Sequence, residues 1–170
     1  MRFQFLLIPP ALVAASAPAM GAYYMTLDEA QSVMLPGAVL TERFVMLTEG
    51  QAETIAAQAQ APVPAYRVKA WQAPNGSWFI LDQVQGKDDT ITYAATLTRD
   101  GILQNVEILE CVPDYSTIRM PEWRAQFVGQ VAGEKRHIET IAGSTLSSQH
   151  ITEGVRRILA TYALALKQSM

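Results

Sequence analysis

Soft metal ligands are scarce in this 170-residue chain, which has one cysteine, Cys111, and two histidines, His137 and His150. A single thiol excludes an intramolecular disulfide, a CxxC redox pair and a thiolate metal cage, and leaves Cys111 as an inert residue at the end of a strand. The histidines have no ligand-like spacing and read as surface residues, although His150 falls early in the last helix, near any anion held there. Asp28-Glu29 and Asp88-Asp89 are too sparse for a calcium loop. No lysine or arginine run occurs, and the net charge of -3 provides no basic field, so nucleic acid is not an expected partner. The Gly-x-Ser-x-Gly elbow is also missing, because Leu146 stands where a pattern centred on Ser144 needs glycine. That counts against a serine hydrolase using Ser144 or Ser147 with His137 or His150 as base. With no internal repeat, the length fits one compact domain plus an N-terminal arm.

The longest apolar run lies at the start. Arg2 precedes an apolar stretch from Phe3 to Ala15, broken by Gln4 and by Pro9-Pro10, and Ala15-Ser16-Ala17-Pro18-Ala19 follows. This order of charge, apolar core and small residues predicts a secretory signal over residues 1-19, cleaved after Ala17 or Ala19. A spanning helix needs ~20 apolar residues, which this interrupted run does not reach. No cysteine follows to carry a lipid. The protein is therefore expected to be exported, to the periplasm or the outer face of the inner membrane. The competing reading makes the run a strand or helix of the fold itself.

Beyond residue 19, Thr26-Leu27-Asp28-Glu29 has the spacing of a capping box, which predicts a helix to about Met34. Leu35-Pro36-Gly37 stops it, and Val39 to Leu47 reads as a strand. Thr48-Glu49-Gly50-Gln51 opens a second helix to about Gln60, ended by Pro62 and Pro64. Tyr66 to Trp71 alternates as a strand, Pro74-Asn75-Gly76 is a turn, and Ser77 to Gln83 is the return strand. Ile91 to Leu97, the Arg99-Asp100-Gly101 turn and Ile102 to Leu109 form a second hairpin. Ile151, Val155, Ile158, Leu159, Tyr162, Ala163 and Leu166 recur at the period of one buried helix face. The pattern is an α+β fold: an antiparallel sheet with two N-terminal helices and one C-terminal helix.

The segment Glu139-Thr140-Ile141-Ala142-Gly143-Ser144-Thr145-Leu146-Ser147-Ser148 reads as the junction of an apolar strand with that last helix. It is rich in small and hydroxylated residues. Free backbone N-H groups and the positive end of the helix dipole meet there, so the turn suits a phosphate. Gly143 permits close backbone approach, and Ser147 and Ser148 can donate to phosphate oxygens. Taken alone, Thr145 is equally an ordinary N-cap residue.

The same residues resemble the flavinylation motif of FMN-binding domains, found in the flavin subunits of the sodium-pumping NADH:quinone reductase and the Rnf electron-transport complex. Glu139, Ala142, Gly143, Ser144 and Thr145 match its acidic, small, Gly, small and Thr positions. The family usually has Asp and Ala where this chain has Glu139 and Ser144. The similarity extends over roughly Ile91 to Leu166 and includes the second hairpin, the Tyr115 to Arg119 segment and the Trp123 to Gly129 segment.

This resemblance implies an FMN-binding core over residues 90-170, with residues 20-89 as the N-terminal part of the same globular unit. It implies FMN held covalently on Thr145 through a phosphoester, with Ser144 as rival attachment site. A separate FAD-dependent flavin transferase, working with magnesium, would install it. Glu139 would orient the acceptor or mark it for the transferase, and Arg119 would pair with the flavin phosphate or with Glu139. Tyr115, Ile118, Met120, Trp123 and Phe127 are the candidate ring contacts, each with simple core as its competing role. The implied function is an electron carrier between a membrane or periplasmic donor and acceptor. The alternative is an exported binding or interaction module that keeps the fold without the cofactor.

Overall fold

The computed structural model describes residues 22–87, 89–111 and 117–169. The expected secretory segment 1-19, Asp88 of the acidic loop pair and the candidate ring contact Tyr115 lie outside them. β1 (Ala22–Tyr23) precedes α1 (Leu27–Met34), β2 (Thr41–Met46) and α2 (Glu49–Ala59). Four strands follow, β3 (Arg67–Gln72), β4 (Trp78–Gln85), β5 (Thr90–Leu97) and β6 (Leu103–Cys111). A short α3 (Pro121–Arg124) leads into a 3-10 turn (Ala125–Phe127), and α4 (Thr145–Thr161) widens into a π turn at Tyr162–Leu166. The six strands form one antiparallel sheet in the order β1-β6-β5-β4-β3-β2. The fold is α+β, as the sequence pattern requires.

Both expected capping boxes are present. Thr26 Oγ accepts from the Glu29 amide while the Glu29 carboxylate accepts from the Thr26 amide, and Thr48 and Gln51 repeat the exchange. These reciprocal bonds satisfy orphan donors at each helix start. α2 ends at Gln60, in the left-handed region, just ahead of the two prolines.

Alternation along the strands divides the core between the two sheet faces. On one face Trp78, Ile80, Ile91, Tyr93, Ala95, Leu97, Val106 and Ile108 meet Ile151, Val155, Ile158 and Tyr162 of α4 and its π turn. On the other face Phe79, Ala94 and Leu109 pack with Ala30 and Met34 of α1. Each fully buried aliphatic side chain of α4 stabilises its docking by about 1.5 to 3 kcal/mol.

α4 lies unusually close to the sheet at Gly154. A Cβ built there would come within 2.3 Å of Tyr93 Oη and 2.8 Å of Val84 Cγ1, so the absent side chain admits the strand. Three residues on, buried Arg157 donates to Asp82 Oδ2 at 2.7 and 3.1 Å and to the carbonyls of Pro62 and Gln83 at 2.8 Å. Tyr93 Oη also donates to Asp82 at 2.8 Å. Burial opposes the guanidinium charge, yet Asp82 and Tyr93 outweigh it and the Arg157 pKa is raised.

The strand expected to lead into Glu139 is not formed. Residues 134–141 bury Ile138 but form no helix and join no sheet ladder. The outer edge of β6 is already occupied: Gly129 and Gln130 bond to Leu103, and Arg124 bonds to the Val106 carbonyl. The Glu139 backbone is held by side chains instead, as the site shows below.

Candidate functional site

The turn before α4 is Ile141-Ala142-Gly143-Ser144, closed by the Ser144 amide donating to the Ile141 carbonyl at 2.9 Å. Gly143 has φ of 82°, and a Cβ built on it would meet nothing within 4 Å, so the glycine is required by conformation and its outer side is open. Ala142 is exposed beside it. Ser148, one turn into the helix, stitches the turn from below: its hydroxyl donates to the Thr145 carbonyl at 2.9 Å and accepts from the Ile141 amide at 3.3 Å.

Glu139 opens the segment, and both sides of its backbone are clamped. Trp123 Nε1 donates to its carbonyl at 2.7 Å, and its amide donates to Gln126 Oε1 at 3.0 Å. Trp123 packs edge-on against Phe127, with ring centroids 5.1 Å apart. Arg124 fixes this short helical segment to β6 by donating to Glu107 at 2.6 Å and to the Val106 carbonyl. Trp123 and Phe127, named as ring contacts, are thus buried structural supports of the motif, and Ile118 is fully buried in the main core. Met120 is half exposed.

The last helix begins at Thr145, and its N-cap is Ser144, not Thr145 as the ordinary reading had it. Ser144 does not cap. The residue is 4% exposed, and its hydroxyl is paired at 2.8 Å with Thr117 Oγ1. No acidic residue occupies the first turn, whereas α1 carries Asp28 and Glu29 there and α2 carries Glu49. The amides of the first turn of α4 and its dipole are therefore left without a hydroxyl or carboxylate from the cap or that turn.

Thr145 is exposed, and its hydroxyl makes one long contact of 3.4 Å with the Ile141 carbonyl. A contact of that length holds the group weakly. Of the two candidate acceptors, Thr145 is open and Ser144 is withdrawn. Ser147 and Ser148 are both buried at 1% exposure, and Ser148 is committed to the turn, so neither lies open as a phosphate donor.

Arg119 does not pair with Glu139. Its guanidinium lies 3.7 Å from the Tyr24 ring centroid, and its Nε is buried with no hydrogen-bond partner among the described residues. Glu139 meets His137 at 3.3 Å, with both side chains about four-fifths exposed. His150 sits on the second turn of α4, with Nδ1 2.5 Å from the Gln85 carbonyl, and it lines a cleft of ≈ 520 Å³ between α4, β4 and the 61–65 loop. It is turned toward that cleft wall, with Gln85 as its contact. Cys111 is buried and free at the end of β6, and burial pushes its thiol pKa up, as expected for an inert residue.

Sequence reasoning missed Thr117 and Gln126, and of the two roles it held open for Trp123, ring contact or core, the structure shows a core position with a hydrogen bond to the motif. Pro121 at the first helical position was the available signal for α3, because proline fits N1. Nothing in the spacing of 117 and 144 announces their contact.

A phosphate fits this end of α4 on two counts of the structure itself: first-turn amides that receive no side-chain cap among the described residues, and an open glycine cradle. Among curated protein sequences, none matches the chain. Residues 86–160, which take in β5, β6, the Glu139 to Ser148 segment and nearly all of α4, match the family model of the FMN-binding domain, which supports a flavin-binding protein.

Proposed function

We propose that this protein is an exported electron-transfer flavoprotein that carries FMN covalently on Thr145. It would relay electrons between a membrane or periplasmic donor and acceptor. The observation that carries this reading is an exposed threonine hydroxyl at the uncapped start of a long helix. The bound flavin supplies the electron chemistry, while the protein fixes its position and surroundings. A covalent link suits a compartment where a cofactor held by contacts alone would be lost by dilution.

Loading requires an FAD-dependent flavin transferase in the same compartment. Thr145 Oγ forms a bond to the FMN-side phosphorus of FAD, the pyrophosphate bond breaks, AMP leaves and the hydroxyl proton is released. The first-turn amides and the N-terminal dipole of α4 stabilise the resulting phosphodiester charge. The pairing of Ser144 with Thr117 in a part-buried position supports Thr145 over Ser144 as the acceptor.

The test is intact mass and visible absorbance of the protein expressed for export beside a flavin transferase, compared with Thr145→Ala. One added FMN unit and yellow colour, both lost in the variant, are expected. An unmodified and colourless wild type would overturn the reading and favour a cofactor-free module.

A further inference from the structure

We infer that Thr117 is a positioning residue for the phosphate site: its hydroxyl draws Ser144 away from the helix axis and so keeps the start of α4 open to an anion. This rests on the reading of that turn as the FMN phosphate site.

Three N-cap residues can be compared within this one chain. Thr26 and Thr48 adopt extended backbone, with ψ of 166° and 161°, and each hydroxyl accepts from the amide three residues on. Ser144 has φ of -127° and ψ of 31°, and its hydroxyl makes no cap bond. Serine is among the best N-cap residues, so its failure here needs a cause. The cause on hand is the buried 2.8 Å contact with Thr117, which gives the Ser144 hydroxyl a partner in a place where an unpaired one is costly.

Thr117 is well placed to impose this. It directly precedes Ile118, which is fully buried, and its carbonyl accepts from the Met120 amide at 3.1 Å, so the residue is locked to α3. From the other side, the Ser144 carbonyl accepts from the Ser148 amide at 2.9 Å, which keeps Ser144 in the cap position while its side chain points elsewhere. Without Thr117, the Ser144 hydroxyl is free to turn to the first-turn amides, the role serine ordinarily takes at an N-cap. It would then occupy the donors that a phosphate needs.

The prediction has an order that simple damage would not give. Thr117→Val releases Ser144 to cap the helix, and FMN incorporation by the transferase falls about tenfold, the scale of one N-cap bond. Ser144→Ala leaves nothing able to cap and incorporates FMN at close to the wild-type rate. The double variant also recovers close to the wild-type rate, because removing both hydroxyls leaves neither unpaired. An independent readout is the backbone amide resonances of Thr145 to Ser147 in unmodified protein titrated with inorganic phosphate. They shift in the wild type and the double variant and are insensitive in Thr117→Val.

Equal incorporation by Thr117→Val and wild type, or a double variant as slow as Thr117→Val, would overturn the inference. If the wild type takes up neither FMN nor phosphate, it is the phosphate-site reading that has failed. The Ser147 amide then still decides the hydroxyl's role: a resonance unchanged between the wild type and ligand-free Thr117→Val would mean that Ser144 was never diverted.

Discussion

Trp123 shows how much of this site depends on single hydrogen bonds from residues that never approach a ligand. Its indole N-H holds the carbonyl of Glu139, while Gln126 holds the amide. Trp123→Phe keeps the ring's packing against Phe127 and removes the donor. The expected loss is about 1 to 3 kcal/mol of folding stability, the cost of leaving one carbonyl without its partner. Urea denaturation of the unmodified protein measures it, and an unchanged midpoint would mean that solvent replaces the indole at no cost. The small-residue turn at Gly143 and the helix start at Thr145 were legible in the sequence because turn chemistry is local. The Thr117–Ser144 pair was not, since two hydroxyls 27 positions apart meet only after β6, α3 and the irregular segment 134–141 have been folded into place.

Among the elements, α4 carries the most constraint. Its apolar stripe was readable from the 3.6-residue period, and so were both capped N-terminal helices from their boxes. The strand expected before Glu139 was the misreading: alternate burial around Ile138 imitates a strand, but no free sheet edge receives it. Gly154 sits where the helix crosses β5, and a methyl there would enter Tyr93 Oη. Gly154→Ala is therefore expected to cost about 1 to 3 kcal/mol through overpacking. That loss would override the gain of roughly 1 kcal/mol that alanine brings to a helix interior. A denaturation midpoint at or above that of the wild type would show that the helix can slide outward.

For the molecule as a whole, the sheet is continuous from β4 into β5 over eight paired residues, so the strands before residue 86 share one sheet and core with the segment that matches the FMN-binding domain. Stability against alkali follows from buried groups within this core. Burial pushes the Tyr93 hydroxyl well above its ordinary value, Asp82 adds to the shift and Arg157 opposes it. Burial likewise raises Tyr24, Tyr162 and Cys111. Each is a group whose folded pKa exceeds its unfolded one, so its contribution is complete below the unfolded pKa and is lost as pH rises through the folded value. With unfolded values of about 8.5 for cysteine and about 10 for tyrosine, the denaturation midpoint should hold steady from pH 7 to about 8.5, then fall, and fall more steeply past about pH 10. A midpoint constant up to pH 11 would contradict the buried, protonated state of Tyr93.

The diverted hydroxyl at the start of α4 also sets a trade-off for anyone redesigning the protein. The first repair that a stability engineer would choose is to seal that helix with a good cap, as α1 and α2 are sealed, and such a change typically stabilises by about 1 kcal/mol. On the proposed reading, the same change here would fill the place kept for the cofactor. Selecting variants for heat resistance alone would therefore tend to drift toward a tougher protein that no longer takes up flavin.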